Sequence, residues 1–179
     1  MARIKPVQPE EAKNEVKDIY KQIEKKMGRI PNIFLSMGNS ATALKAYLSL
    51  SEAASHTSLE PKVREQLALT ISQTNNCQYC LSAHTMLAKG QGLKDPDIIQ
   101  ARHGESQDPK TQAILKFAKT VVENRAQISN QDIAGLKAAG VNDPEIVDII
   151  LLITLNTFTN YFNHIADPKI DFPLAPELT

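Results

Sequence analysis

The stretch DPEIVDIILLITLNTFTNYFNHIA, residues 143–166, decides the fold, because it is the one place where a buried β-strand competes with a helix. β-Branched residues crowd positions 146–154, which favours a strand. The apolar pattern nevertheless continues through Ile146, Ile149, Ile150, Leu152, Ile153 and Phe158 to about Ala166, far beyond an ordinary strand of roughly 5–6 residues. Asp143-Pro144 at its start supplies an acid for the positive helix end and a proline with its backbone angle already helical. A helix follows. No period-2 alternation occurs elsewhere in the chain, so the expected fold class is all-α.

Working back from this segment, the same punctuation repeats. Ser129 caps a helix ending at Gly140, Asp108-Pro109 opens one through Ile114, Phe117, Ala118 and Val121, and Asp95-Pro96 opens a short one. A helix runs from Cys77 to about Gly90–Gly92. Before it, Pro61 starts an apolar helix through Val63, Leu67, Leu69 and Ile71, broken at Thr74-Asn75-Asn76. Ser40 caps a segment carrying Leu44, Tyr47, Leu48 and Leu50, Pro31 precedes a short apolar piece, and Pro9-Glu10-Glu11 reads as the start of a first helix reaching Met27-Gly28. The expectation is one domain over 1–179 of about seven or eight helices, with a core from about 9 to 166 and an extended Pro-rich tail at 167–179.

The chain has 179 residues, 42% hydrophobic and 22% charged, enough to bury roughly 70% of its unfolded surface. Twenty basic and twenty acidic residues cancel, and no basic run is long enough for a nucleic-acid or lipid surface. Aromatics make up only 5% and Trp is absent, which leaves few rings for base stacking. The start of the chain lacks a secretory apolar stretch, and nothing reaches ~18 uninterrupted apolar residues. A cytoplasmic protein with neither membrane nor nucleic acid as partner is expected.

Laying the stretch from Pro61 over the stretch from Pro144, at an offset of 83 residues, pairs Val63 with Ile146, Glu65 with Asp148, Leu67 with Ile150, Leu69 with Leu152 and Thr74 with Thr157. Cys77 and Cys80 fall on Asn160 and Asn163. Such an echo fits an internal helical duplication, and fits chance between two amphipathic helices equally well. The chemistry-bearing residues lie in the first copy only.

Cys77 and Cys80 are the only cysteines. At i and i+3 they share one helix face, about 5–6 Å apart at Cβ, close enough to form a disulfide with modest adjustment. Both occupy a first helical turn, where free backbone N–H groups and the dipole favour thiolate. Position alone favours the more N-terminal Cys77 as attacker. His84, one turn after Cys80, selects Cys80 as the activated thiol and leaves Cys77 to resolve a Cys80 sulfenic acid. If the chain turns back at Thr74-Asn75, Glu65 faces His84 and can orient the imidazole and pass protons through it.

Zinc is the sharpest rival for these donors. Cys77, Cys80 and His84 supply three ligands, and Glu65, His56 or His103 a fourth, but structural zinc sites usually take a second ligand pair from a distant knuckle. His56, His103 and His164 read as surface or capping residues. Asn156, Asn160 and Asn163 form a polar stripe that either faces solvent or finds partners at a pocket wall or subunit interface. Tyr79 either packs on the neighbouring helix or meets substrate.

The combination of Glu65, Cys77-Gln78-Tyr79-Cys80 and His84 resembles the alkyl hydroperoxidase D-like, carboxymuconolactone decarboxylase superfamily. The resemblance runs clearly from about Pro61 to Gly92 and more weakly through Asn163-His164-Ile165-Ala166-Asp167. It implies an all-helical antioxidant fold, a Glu65–His84 proton relay to Cys80 with Cys77 as its disulfide partner, and a homo-oligomer (dimer, trimer or hexamer). It also implies a peroxide substrate and a lipoyl or thioredoxin-like reductant, with no metal or flavin cofactor. The expected activity is that of a thiol-dependent peroxidase; the alternatives are an adaptor reducing a peroxiredoxin, a lactone decarboxylase-type enzyme, or a non-enzymatic zinc protein. Tyr79 departs from the small polar residue or His often found there, so substrate preference does not carry over.

Overall fold

The computed structural model describes residues 2–178. Within them nine helices follow in order: α1 (Asn14–Met27), α2 (Asn32–Met37), α3 (Ala41–Ser55), α4 (Pro61–Thr74), α5 (Gln78–Gly90), α6 (Asp95–His103), α7 (Pro109–Glu123), α8 (Asn130–Ala138) and α9 (Asp143–Ala166). The fold is all-α. Eight of these helices answer to the helical segments expected from the sequence, and the ninth, α2, is the short apolar piece after Pro31.

Caps set the boundaries. Side chains of Ser40, Asp108, Ser129 and Asn142 each accept the first-turn N–H groups of the helices they precede, and Pro61, Pro96, Pro109 and Pro144 lie in first turns. One boundary corrects the sequence reading. Pro9-Glu10-Glu11 forms a turn closed by the Ala12 N–H on the Gln8 carbonyl, and α1 begins only at Asn14, whose φ of 50° separates turn from helix.

Helix α4 is the central post. Seven consecutive residues, Gln66 to Ser72, are buried, so it meets neighbours all round, packing on α5, α6, α7 and α9. Helix α9 is 24 residues long and apolar enough to cross a membrane by length and composition. Here it is a core helix packed against α3, α4, α5 and α7, with Ile149, Leu152 and Ile153 buried.

Buried side chains form two clusters. The larger joins α4, α7, α8 and α9 through Leu67, Leu69, Ile71, Leu115, Phe117, Leu136 and Ile149. The smaller joins α1, α2 and α3 through Ile19, Tyr20, Ile33, Phe34 and Leu44, and it also takes in Cys77, Tyr79 and Cys80. The start of α5 therefore lies at the seam between the two. In the smaller cluster the Tyr20 hydroxyl lies 3.1–3.3 Å from the carbonyls of Val7, Phe34 and Leu35. Gly38 leaves room for that ring, since a Cβ there would overlap its hydroxyl.

After α9, Asp167 turns the chain through the left-handed region (φ 51°), and the tail runs back without helix over the start of α5.

Candidate active site

The break between α4 and α5 builds the site. Asn76 takes φ 54°, a conformation Asn tolerates, and the Cys77 N–H then donates to the Ser72 carbonyl at 2.9 Å. Cys77 becomes the N-cap of α5: its sulfur accepts the Cys80 N–H at 3.3 Å, a task usually given to Ser or Asp. Cys77 and Cys80 are joined as a disulfide with Cα atoms 5.3 Å apart. Both are buried, 2% and 3% exposed, so solvent competes little with the donors that reach the sulfurs.

Because α4 and α5 fold back at this break, Glu65 and His84 meet. Glu65 Oε2 lies 2.9 Å from His84 Nδ1, and the two side chains are 19% and 22% exposed, open enough to exchange protons with solvent. With Nδ1 engaged, Nε2 is the nitrogen left for a reacting group. In this oxidised form His84 makes no hydrogen bond to either sulfur among the described residues. Helix α5 thus brings together both cysteines and His84, and α4 supplies Glu65.

The asparagine stripe of α9 faces inward. Asn156, Asn160 and Asn163 are all buried, which removes the solvent alternative. Asn156 donates to the Leu152 carbonyl, Asn160 Oδ1 accepts from Asn75 Nδ2 at 2.9 Å, and Asn163 Nδ2 donates to Cys80 Sγ at 3.2 Å. His164, outside the expected site, pins the same break by a 2.7 Å contact from Nε2 to the Asn75 carbonyl. The echo in the sequence did contain a signal for Asn163, since it laid this residue on Cys80.

Tyr79 packs as a structural residue. Its hydroxyl donates to Asp171 Oδ1 at 2.7 Å and accepts from the Ile33 N–H at 3.2 Å, and its ring meets Phe172 edge-on at 5.5 Å. Burial, reinforced by the bond to Asp171, raises the Tyr79 pKa well above the usual phenol value. Arg29 pairs with the other oxygen of Asp171 at 2.6 Å and lies over the Phe172 ring. Three more contacts hold the tail: Gln78 Nε2 on the Ala175 carbonyl, the Ala175 N–H on Ser82 Oγ, and buried Arg102 on the Pro176 carbonyl. None of these tail partners was foreseen, because no local spacing links them to α5.

Of the other zinc candidates, His56 lies beside Glu52 at 3.4 Å on the surface and His103 is exposed. Among the described residues no group of three or more His, Cys, Asp and Glu side chains is arranged to hold a metal ion.

Residues 41–106, from α3 to just past α6, match the carboxymuconolactone decarboxylase family. This segment contains Glu65, Cys77, Cys80 and His84. The family likeness therefore lies in this segment, which carries every residue of the carboxylate–imidazole–dithiol set. Solved structures extend the likeness of fold to nearly the whole chain. A peroxidase-related protein of Ralstonia eutropha JMP134, an alkylhydroperoxidase AhpD core, superposes with TM-score 0.85 at 19% identity, covering 95% of this chain and 92% of its own. A peroxidase-related protein of Silicibacter sp. TM1040 gives 0.81 at 21% identity, over 93% of this chain and 88% of its own. The debrominase Bmp8, as a cysteine-to-alanine variant in complex with 2,3,4-tribromopyrrole, gives 0.80 at 19% identity, over 94% and 91%. No curated protein sequence matches the chain. An alkyl hydroperoxidase D-like fold thus presents a dithiol–disulfide pair at the start of α5, with a carboxylate–imidazole pair beside it.

Proposed function

We propose that the protein is a thiol-dependent hydroperoxide reductase working through Cys80 and Cys77. The observation that carries this reading is the disulfide at the N-terminus of α5 on the same helix as His84, whose imidazole Glu65 holds at 2.9 Å. In the reduced state the dipole of α5 favours a thiolate at Cys80. That sulfur attacks the terminal oxygen of a hydroperoxide: an S–O bond forms, the O–O bond breaks, and the departing alkoxide takes a proton from His84 to become an alcohol. The proton then returns to His84 by way of Glu65 or solvent. Cys77 next attacks the Cys80 sulfenic acid, releasing water and forming the disulfide seen here. A dithiol donor of lipoyl or thioredoxin type restores both thiols by exchange, itself becoming a disulfide.

A carrier passing electrons to a peroxiredoxin uses the same thiols and is the second reading. It is supported by the burial of both sulfurs, which favours access through a docked partner. Measuring peroxide consumption with dihydrolipoamide or thioredoxin, for the wild type and Cys80→Ser, separates the two. Turnover lost in the variant supports the peroxidase. Thiols that cycle with the donor while peroxide stays untouched support the carrier, and thiols that never cycle overturn both.

The same reading includes a cytoplasmic setting and a homo-oligomer. An outward stripe on α9, with Val147, Ile150, Phe158, Tyr161 and Ile165 each more than 40% exposed, supports assembly.

A further inference from the structure

Asn163 stands at an unusual place for an amide. It is 5% exposed, its Nδ2 donates to Cys80 Sγ at 3.2 Å, and its Oδ1 is buried with no hydrogen-bond partner among the described residues. A disulfide sulfur is a weak acceptor, so the oxidised form makes poor use of this donor and leaves the acceptor idle. Both mismatches disappear as Cys80 changes state. A thiolate is a charged acceptor and strengthens the Nδ2–H bond. A sulfenic acid carries an S–O–H hydrogen that Oδ1 can take.

We propose that Asn163 is a positioning residue for Cys80, its amide hydrogen holding the thiolate and its free oxygen receiving the hydrogen of the sulfenic acid. The inference rests on the thiol chemistry proposed above. It adds to that reading a residue of α9, a helix that contains no cysteine and lies beyond the matched segment. Asn163 breaks and forms no bond. During attack the peroxide's terminal oxygen joins sulfur with its hydrogen still attached, the alkoxide leaves with a proton from His84, and Asn163 turns from holding S⁻ to holding S–O–H. The placement also explains why the stripe is polar on an apolar helix, since Asn160 one turn earlier secures the Asn75 side chain at the bend that sets Cys77.

The test is a pH titration of the Cys80 thiolate by its ultraviolet absorbance in reduced Cys77→Ser protein, with and without Asn163→Leu. Leucine keeps the volume and removes both hydrogen-bonding groups, and Asn163→Ala serves as a second variant should leucine not fold. The expected result is a rise of about one pH unit in the midpoint, a tenfold loss of thiolate below it. A shorter lifetime of the trapped sulfenic acid is expected as well. A midpoint that stays put in a folded variant overturns the proposal. A midpoint that rises while the wild type consumes no peroxide upholds the role of Asn163 and removes the peroxidase reading, so the two fail separately.

Discussion

Tyr79 and Asp171 stand 92 positions apart in the chain and 2.7 Å apart in space, joining the middle of the C-x-x-C turn to the tail. The same carboxylate accepts from Arg29 and from the Asn32 N–H, so one side chain ties α5, the α1–α2 connection and the tail together. Asp171→Ala leaves a buried hydroxyl and a backbone donor without their acceptor. A loss of about 1–3 kcal/mol is expected, measured by urea unfolding of the oxidised protein. A variant as stable as wild type would show that the knot contributes nothing.

Glu65→Gln tests the carboxylate–imidazole pair. The amide keeps the size of the side chain and can still bond Nδ1, but it neither carries charge nor accepts a proton. Turnover with peroxide is expected to fall about 10- to 100-fold, with the circular dichroism and unfolding midpoint close to wild type. Full activity would remove Glu65 from the proton path.

The order of the two sulfurs is read by a sulfenic-acid probe on single variants. Cys77→Ser retains a hydroxyl able to cap α5 in place of the sulfur and is expected to label at Cys80 after peroxide. Cys80→Ser is expected to stay unlabelled. The reverse pattern would make Cys77 the attacker, as its place at the very start of the helix would favour.

Alkaline pH should unfold the protein through its buried phenols. Burial raises the Tyr20 pKa from 10.0 to about 12, and Tyr79 shifts the same way. The native state therefore holds these protons more tightly than the unfolded chain. The resulting stability is fully present below the unfolded value of 10.0 and disappears as pH rises through about 12. For Tyr20 the difference is on the order of 2 kcal/mol. Denaturant titrations at neutral pH and near the upper limit should show this fall, and Tyr20→Phe should make it smaller, leaving the share of Tyr79. An equal fall in the phenylalanine variant would assign it elsewhere.

The outward stripe of α9 predicts assembly. Sedimentation should give a mass above that of one chain, and Tyr161→Glu with Ile165→Glu should lower it. A wild-type monomer at micromolar concentration would reject the oligomer.

Helix order was legible because prolines and capping residues mark nearly every start, and because α9 is too long for a strand. Pro9 misled for a local reason: it resembles a helix opener, but the positive φ at Asn14 resets the backbone three residues after Glu11. At the site, residues on the α4–α5 hairpin could be placed by helical spacing and one fold-back. Asn163 and Asp171 could not, since each reaches α5 only through tertiary packing of α9 and the tail. The asparagine stripe was visible as a pattern, but its direction depended on what α9 packs against.

The sulfurs come from the matched segment, residues 41–106, yet much of the buried cluster they belong to comes from outside it: Tyr20, Ile33 and Phe34 before it in the chain, Ile170 and Phe172 after it. The disulfide and much of its surroundings are therefore drawn from different stretches of the chain. On the function proposed above, exchanging α1, α2 and the tail between two proteins of this fold should change the choice of peroxide or donor while Glu65, Cys77, Cys80, His84 and Asn163 stay in place.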